Sequence, residues 1–455
     1  MRVMLTGLIG AALTGLLLVI ALPPINIDLA AWIALVPVLL CIRKRGFLFG
    51  FLFGLLSLIA AIAIALSGAL YKKQMPDGDI SWTVVGFCLF GVLVGFVCAI
   101  YADQKRLTPL GTYTISAAAI LLEALLMFFL PAHLGLTQYR IPAAMWLASF
   151  AGIWAVSFLT WLANLALTEA IVAKNTRTTA IIAGLVSIFT LTRLVPKQSS
   201  GDFTVAAIQT PNSALSVLAE MNAQTAISGA QLCVWPELSA QSAAPRGNTP
   251  ELAALLKSKQ QCDFVTTFED SAEPLPHNSA ALISTNGISD LYHKRKLFGG
   301  EYTVHARGTE PMSATSASAT IGLNICFDSC FPHIIRETAR LPNVELIALP
   351  TLDPATPHGV IQSIHAAYTP FRSAENGIAI IRADITAHSM IVDRDGTILR
   401  EAGTGTEEAI IANIHKGGRW TFYQMAGDWF VWACALWAAY RSLMILKSRK
   451  RKDSA

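Results

Sequence analysis

The chain has 455 residues, enough for two or three domains. Hydrophobic residues make up 53% and charged residues only 14%, with a mean hydropathy of +0.50, which excludes an ordinary soluble protein and calls for membrane spans. The net charge of +4 is spread among loops without a nucleic-acid motif, so no nucleic-acid partner is expected. The eight cysteines form no CxxC pair and no metal spacing with histidine, so neither metal nor cofactor is expected.

Apolar runs then follow in order: Met4–Leu22, Leu29–Ile42, Phe47–Leu70, Trp82–Ile100, Thr112–Leu130, Met145–Ala173 and Thr179–Val195, with a last one over Trp420–Leu446. Together they predict a multi-span α-helical bundle of about eight helices. Gly50 and Gly54 are spaced for close helix packing. Trp420, Phe422 and Tyr423 read as an interfacial belt at the start of the last span. Glu123 lies inside the fifth span, where a carboxylate needs a partner; a hydrogen bond within the bundle is the favoured reading.

Basic residues set the orientation. Arg43, Lys44, Arg45, Lys105, Arg106, Lys174, Arg177 and the run Lys447–Lys452 fall on one side if the spans alternate. The other side carries Lys72, Lys73 and Arg140. Both termini are therefore expected to be cytoplasmic, with the long insert on the far side of the cytoplasmic membrane, which in a bacterium is the periplasmic face. The expected division is a bundle over 1–195, a periplasmic domain over 196–418, and a final helix with a basic tail over 419–455.

The insert has a different pattern. Strands are predicted at Asp202–Gln209, Gln231–Trp235, Asp263–Phe268, Ala319–Ile325, Val344–Leu349, Ile378–Ala383, Ser389–Asp393 and Thr397–Arg400. A hairpin is predicted from Ala280–Ser284 to Ile288–His293 around Asn286-Gly287. Helices are predicted at Ala214–Ser228, Glu251–Gln260, His333–Arg340 and Ile361–Glu375. This alternation gives an α/β sandwich with a mixed sheet.

Three strand ends carry one ionisable residue each: Glu237 in Val234–Leu238, Lys294 in Tyr292–Leu297, and Cys326 in Gly322–Pro332. A base, a cation and a thiol in that order form a nucleophile with its activator and its oxyanion stabiliser. A nearby helix N-terminus is expected to favour the thiolate. Lys296 and Cys330 are the rival lysine and cysteine, and Cys233 and Cys262 read as core residues.

Trp235-Pro-Glu237, Tyr292-His-Lys294, Cys326-Phe-Asp328 with Phe331-Pro332, and Arg372-Ser-Ala-Glu-Asn-Gly377 resemble the motifs of the nitrilase, or carbon–nitrogen hydrolase, superfamily. Ala21-Leu-Pro-Pro24, Phe47–Gly54, Leu121-Leu-Glu123 and Gly152–Phe158 are similar to the membrane part of the apolipoprotein N-acyltransferase family. The resemblance implies a nitrilase-like catalytic domain. It makes Cys326 the nucleophile, Glu237 the general base and Lys294 the oxyanion cation, with Glu301 a second glutamate near the site. Asp328 stands where the family usually has Glu, and Glu375 belongs to a motif that supports the fold. The implied partners are a phospholipid acyl donor, the N-terminal amine of a lipoprotein as acceptor, and membrane lipids.

The chain departs from the acyltransferase pattern in places. Phe327 replaces a usual Tyr, the stretch Leu349–Ala355 lacks a usual Trp, and the loop Tyr71–Pro76 lacks an aromatic pair. The arginine and tryptophan usual after the glutamate of the fifth span are missing as well. Two alternatives therefore stay open: a membrane-tethered amidase, and a divergent paralogue serving conjugal plasmid transfer.

Overall fold

The computed structural model describes residues 2–66, 77–104, 107–128, 131–195, 201–240, 262–270, 272, 274–285, 287–353 and 360–453. Lys72, Lys73, Lys105, Arg106, the loop 71–76, Asn286 and the helix expected over 251–260 lie outside the described residues. The chain divides into two compact units, Met1–Leu194 with Asp428–Ala455, and Val195–Gly427.

The first unit is helical. Among the described residues, five helices are long and apolar enough to cross a membrane: Arg2–Ala21, Pro109–Leu126, Pro142–Val172, Thr176–Leu194 and Trp429–Lys447. Shorter apolar helical stretches cover 28–42, 47–63 and 90–102. The stretch expected as one span over Leu29–Ile42 is broken into helices Asp28–Ala31 and Val36–Ile42. The expected last span starts later than predicted, at Trp429. Gly427, with φ +59°, ends a separate short helix at Phe422–Ala426, and Tyr423 is buried within the second unit rather than placed in an interfacial belt.

Small residues bring the helices together. A Cβ added at Gly50 would fall 2.5 Å from Ala102 Cβ, and one at Gly54 would fall 2.7 Å from Cys98 Cβ. Only glycine allows helix Phe47–Leu66 that close to helix Asp77–Ala102. Glu123 is satisfied inside the unit, accepting from Trp161 Nε1 at 3.0 Å and from the Leu134 amide at 3.2 Å. His133 Nδ1 lies 3.3 Å from its other oxygen. Glu169 is likewise held, by Arg43 Nε and Nη2 at 2.8 Å each and by the Tyr101 hydroxyl at 2.8 Å.

The second unit is a two-sheet sandwich. In chain order its strands are β1 (Phe203–Gln209), β2 (Leu232–Val234), β3 (Asp263–Glu269), β4 (Asn278–Ser284), β5 (Gly287–Ile288), β6 (Tyr292–His293), β7 (Met312–Thr315), β8 (Thr320–Leu323), β9 (Leu346–Pro350), β10 (Ala379–Ala383), β11 (Met390–Val392), β12 (Ile398–Glu401) and β13 (Glu408–Ile414). One sheet runs β13-β1-β2-β3-β4-β5, with β6 paired to β4; the other runs β12-β11-β10-β9-β8-β7. Strands β1, β2 and β3 are parallel, as are β8, β9 and β10, and antiparallel strands close each edge. The sheets pack face to face, β1 on β10 and β11, and β3 on β9.

Each outer face is covered by a helix. Leu215–Ile227 packs Leu218 onto Ala206, Ile208 and Phe264, and Pro332–Ala339 packs Ile335 onto Ile347 and Ile380. Strands covered on both faces need continuous apolar runs, which β9 (Leu-Ile-Ala-Leu-Pro) and much of β10 supply. The helix expected over Ile361–Glu375 breaks at Ala367 into Val360–Ala366 and Tyr368–Asn376. Strands β7 and β13 were not predicted; both pair at or near edges.

Candidate active site

The parallel strands β2 and β8 end on the same side of the sandwich as the turn after β6, and each delivers one of the expected groups. Glu237 follows β2 in a tight turn. Trp235 stacks on Phe264 at 4.1 Å, and the Glu237 amide donates to the Thr351 carbonyl at 3.2 Å, past the end of β9. The next residue, Leu238, takes φ +53° and donates its amide to Thr267 Oγ1. Glu237 is thereby fixed with its carboxylate buried.

Lys294 follows β6 and is only 1% exposed. Its Nζ donates to Glu237 Oε1 at 2.8 Å and to Glu301 Oε1 at 2.7 Å. Asn278 Nδ2 donates to the same Glu237 oxygen at 2.7 Å, and the Phe298 amide donates to Glu301 Oε2 at 2.8 Å. Burial works against the ammonium. The carboxylates of Glu237 and Glu301 outweigh it and hold Lys294 well above the usual lysine value.

Cys326 opens a short 3-10 turn, Cys326–Cys330, just past β8. Its φ is +48°, a left-handed conformation that a non-glycine residue adopts only when its surroundings hold it there. The turn is held from below. Ser329 Oγ donates to the Cys326 carbonyl at 2.9 Å, and Arg372 Nε donates to the Ser329 carbonyl at 3.0 Å. Arg372 is paired with Glu375 in full burial, and the Glu375 carbonyl accepts from Thr421 Oγ1 at 2.6 Å. Glu375 lies beneath the turn and holds it through Arg372.

The thiol differs from expectation. Burial, and then the charge of Glu237, push Cys326 well above the usual thiol range, against the opposing effect of Lys294. A thiolate favoured by the nearby helix is not what this environment produces. The thiol stays protonated and needs a base at the moment of attack.

Asp328 is fully buried and joins the two segments. It accepts from the Tyr292 hydroxyl at 2.7 Å, the Ile325 amide at 2.9 Å and the Lys296 amide at 2.8 Å. Burial raises it to about 6. Lys296 points elsewhere, its Nζ 4.3 Å from the centre of the Phe331 ring. Phe327, at the position of the missing tyrosine, packs against Phe298 and Phe331 at 4.9 and 5.2 Å. All eight cysteines are unbridged, Cys233 and Cys262 included.

The structure adds a group that no spacing revealed. His365 Nε2 lies 3.2 Å from the Cys326 carbonyl and 3.1 Å from Ser329 Oγ, and its Nδ1 is 2.7 Å from Asp353 Oδ2. Arg382 Nη2 donates to the same Asp353 oxygen at 2.5 Å. Burial alone would lower the imidazole, but Asp353 outweighs it and holds His365 up at about 10. A buried imidazolium therefore stands under the cysteine. Asn278, Asp353, His365 and Arg382 come from four separate segments, and no local pattern connects them.

Residues 204–419 match the family described as Carbon-nitrogen hydrolase, and residues 14–166 match the Apolipoprotein N-acyltransferase N-terminal domain. The apolipoprotein N-acyltransferase of Geobacter metallireducens is 26% identical, the alignment covering 94% of this chain and 93% of that protein. An (R)-stereoselective amidase of Pseudomonas sp. is 27% identical over 39% of this chain and 64% of its own. Among solved structures, the NitN amidase of Nesterenkonia sp. AN1 aligns with 47% of this chain and 92% of its own, at 21% identity and a TM-score of 0.39. A form of that amidase in complex with butyramide gives 19% identity, 50% and 94% coverage, and a TM-score of 0.41.

The second unit is thus a carbon–nitrogen hydrolase domain joined in one chain to a helical membrane unit. The chain belongs with the apolipoprotein N-acyltransferase-like proteins of the carbon–nitrogen hydrolase superfamily.

Proposed function

We propose that this protein is a membrane acyltransferase that moves a fatty acyl group from a phospholipid, through a thioester on Cys326, to the N-terminal amine of a lipoprotein. The observation that carries the chemistry is the buried Lys294 bridging Glu237 and Glu301, with its charge acting on Cys326. The full-length relationship to an N-acyltransferase, helical unit included, carries the substrate class.

The steps follow from the groups present. Glu237 takes the Cys326 proton as sulfur attacks the ester carbonyl of the phospholipid. Lys294 faces the oxygen that becomes negative; one such donor is worth roughly 3 kcal/mol in a transition state. The adduct collapses to the thioester, and the lysophospholipid leaves as an alcohol with the proton returned by Glu237. The amine of the acceptor then attacks the thioester carbonyl. Glu237 takes its proton, an amide forms, and the sulfur leaves and is reprotonated. Glu301 serves by positioning Lys294, and Asp328 by tying the lysine segment to the cysteine turn.

The orientation proposed with this function puts both termini in the cytoplasm and the hydrolase unit on the periplasmic side of a bacterial inner membrane. Arg43, Lys44, Arg45, Lys174, Arg177 and the basic tail support it. Both substrates are held in the bilayer, so a hydrolase domain carried between membrane helices suits them.

The test uses the full chain in detergent with phosphatidylethanolamine bearing a labelled acyl chain. A hydroxylamine-sensitive adduct on wild type and none on Cys326→Ala is the expected result. Release of ammonia from small amides, with no lipid adduct on folded protein, would replace this reading with the amidase.

A further inference from the structure

A second cluster of coordinating side chains lies in the first sheet, outside the ion pair of Lys294. Asp270 directly follows β3, His277 directly precedes β4, and His293 ends β6. The segments are held in register: the Asp270 amide donates to the His277 carbonyl at 3.0 Å, and Ser279 pairs with His293 across the ladder.

Both imidazoles converge on one oxygen of Asp270. Asp270 Oδ2 lies 3.0 Å from His277 Nδ1 and 3.3 Å from His293 Nδ1. Ser279 Oγ lies 3.3 Å from that oxygen and 2.8 Å from His293 Nδ1. The donor atoms of Asp270, His277 and His293 all fall within 4.8 Å of one another. A tetrahedral zinc ion with bonds of ~2.0–2.1 Å to nitrogen and oxygen has ligand-to-ligand edges of about 3.3 Å. The two distances from Asp270 Oδ2 are already near that value, so small side-chain shifts would seat an ion.

The carboxylate is also preset. Asp270 Oδ1 accepts from the Ala272 amide at 3.0 Å and the His277 amide at 2.8 Å. That leaves Oδ2 facing the imidazoles, the outer-shell arrangement that orients metal ligands. The two rings stack at 4.0 Å, and both are partly exposed, 21% for His277 and 35% for His293, so an ion can enter from solvent. The other close group, Cys326, Asp353 and His365, is a poor comparison because Arg382 already occupies Asp353 Oδ2.

We propose that Asp270, His277 and His293 form a binding site for a divalent transition-metal cation of the zinc class, with Ser279 or water completing the shell. The ion would link the segments that carry catalytic groups. His277 adjoins Asn278, which bonds Glu237, and His293 adjoins Lys294. The site acts on the rigidity of that pair and takes no part in the chemistry.

The experiment uses the full chain in detergent, stripped with a chelator. Zinc is titrated by calorimetry, and cobalt by its visible absorption. One saturable equivalent is expected on wild type, with the same affinity on Cys326→Ala. Asp270→Asn and His293→Ala should each weaken binding at least about tenfold, and His277→Gln is the further variant if one of them fails to fold. A rise in wild-type melting midpoint with zinc, absent in these variants, is the second readout. No saturable binding on wild type, or binding unchanged in the Asp270 and His293 variants, overturns the site. Binding lost in Cys326→Ala overturns it as well.

Discussion

The Tyr292 hydroxyl donates to Asp328 Oδ2 over 2.7 Å, joining the segment that carries Lys294 to the turn that carries Cys326. The same carboxylate accepts the Ile325 and Lys296 amides. Asp328→Ala would strand three donors, two of them buried, at a cost of at least about 2 kcal/mol. Its melting midpoint should fall clearly below wild type, and acyl-enzyme formation should fall with it. A wild-type midpoint in this variant would mean the clamp is unimportant.

Lys294 holds two carboxylates in a site from which water is largely excluded. Removing it exposes like charges to each other, so Lys294→Ala should destabilise the protein by about 3–5 kcal/mol. Lys294→Ala with Glu301→Gln relieves part of that repulsion and should regain some stability while staying inactive. Thermal unfolding and single-turnover thioester formation separate the two effects. Recovery of activity in the double variant would argue against Lys294 as the oxyanion group.

The Cys326 thiol is pushed up by burial and then by Glu237, and is drawn down by Lys294. Alkylation by a small uncharged reagent should therefore be slow at neutral pH and should accelerate as pH rises. Glu237→Gln removes a raising charge, so its alkylation profile should move to lower pH although acyl transfer is lost. Rates read against pH decide it; a profile moved upward would contradict the assigned electrostatics.

His365 is held up at about 10 by Asp353, against an ordinary value of 6.5. A cation raised on folding lends stability that is complete below the unfolded value and is lost as pH rises through the folded one. The melting midpoint should therefore decline between about pH 6.5 and pH 10. His365→Gln should start lower and show a flatter profile over that window. Equal slopes in the two proteins would remove His365 from the account.

The residues next to strand ends were legible because strand ends are local. A short apolar run followed by Pro-Glu, or by Cys and a turn, announces itself within ten residues, and so Glu237, Lys294 and Cys326 could be singled out. Edge strands such as β7 were missed because Met-Ser-Ala-Thr has little apolar pattern and pairs only because β8 lies beside it. The break at Ala367 and the late start of the helix at Trp429 were hidden for a similar reason: apolar composition runs on where packing and backbone geometry do not.

The sequence by itself determined that the chain has apolar helices around an α/β insert, and which three strand ends carry ionisable groups. Those are matters of composition and of short-range periodicity. Only the tertiary structure decided that Lys294 lies between Glu237 and Glu301, that the thiol is raised rather than lowered, and that Asp353, His365 and Arg382 meet under Cys326. Burial and the distance between charges set those properties, and both depend on which distant segments the fold brings together.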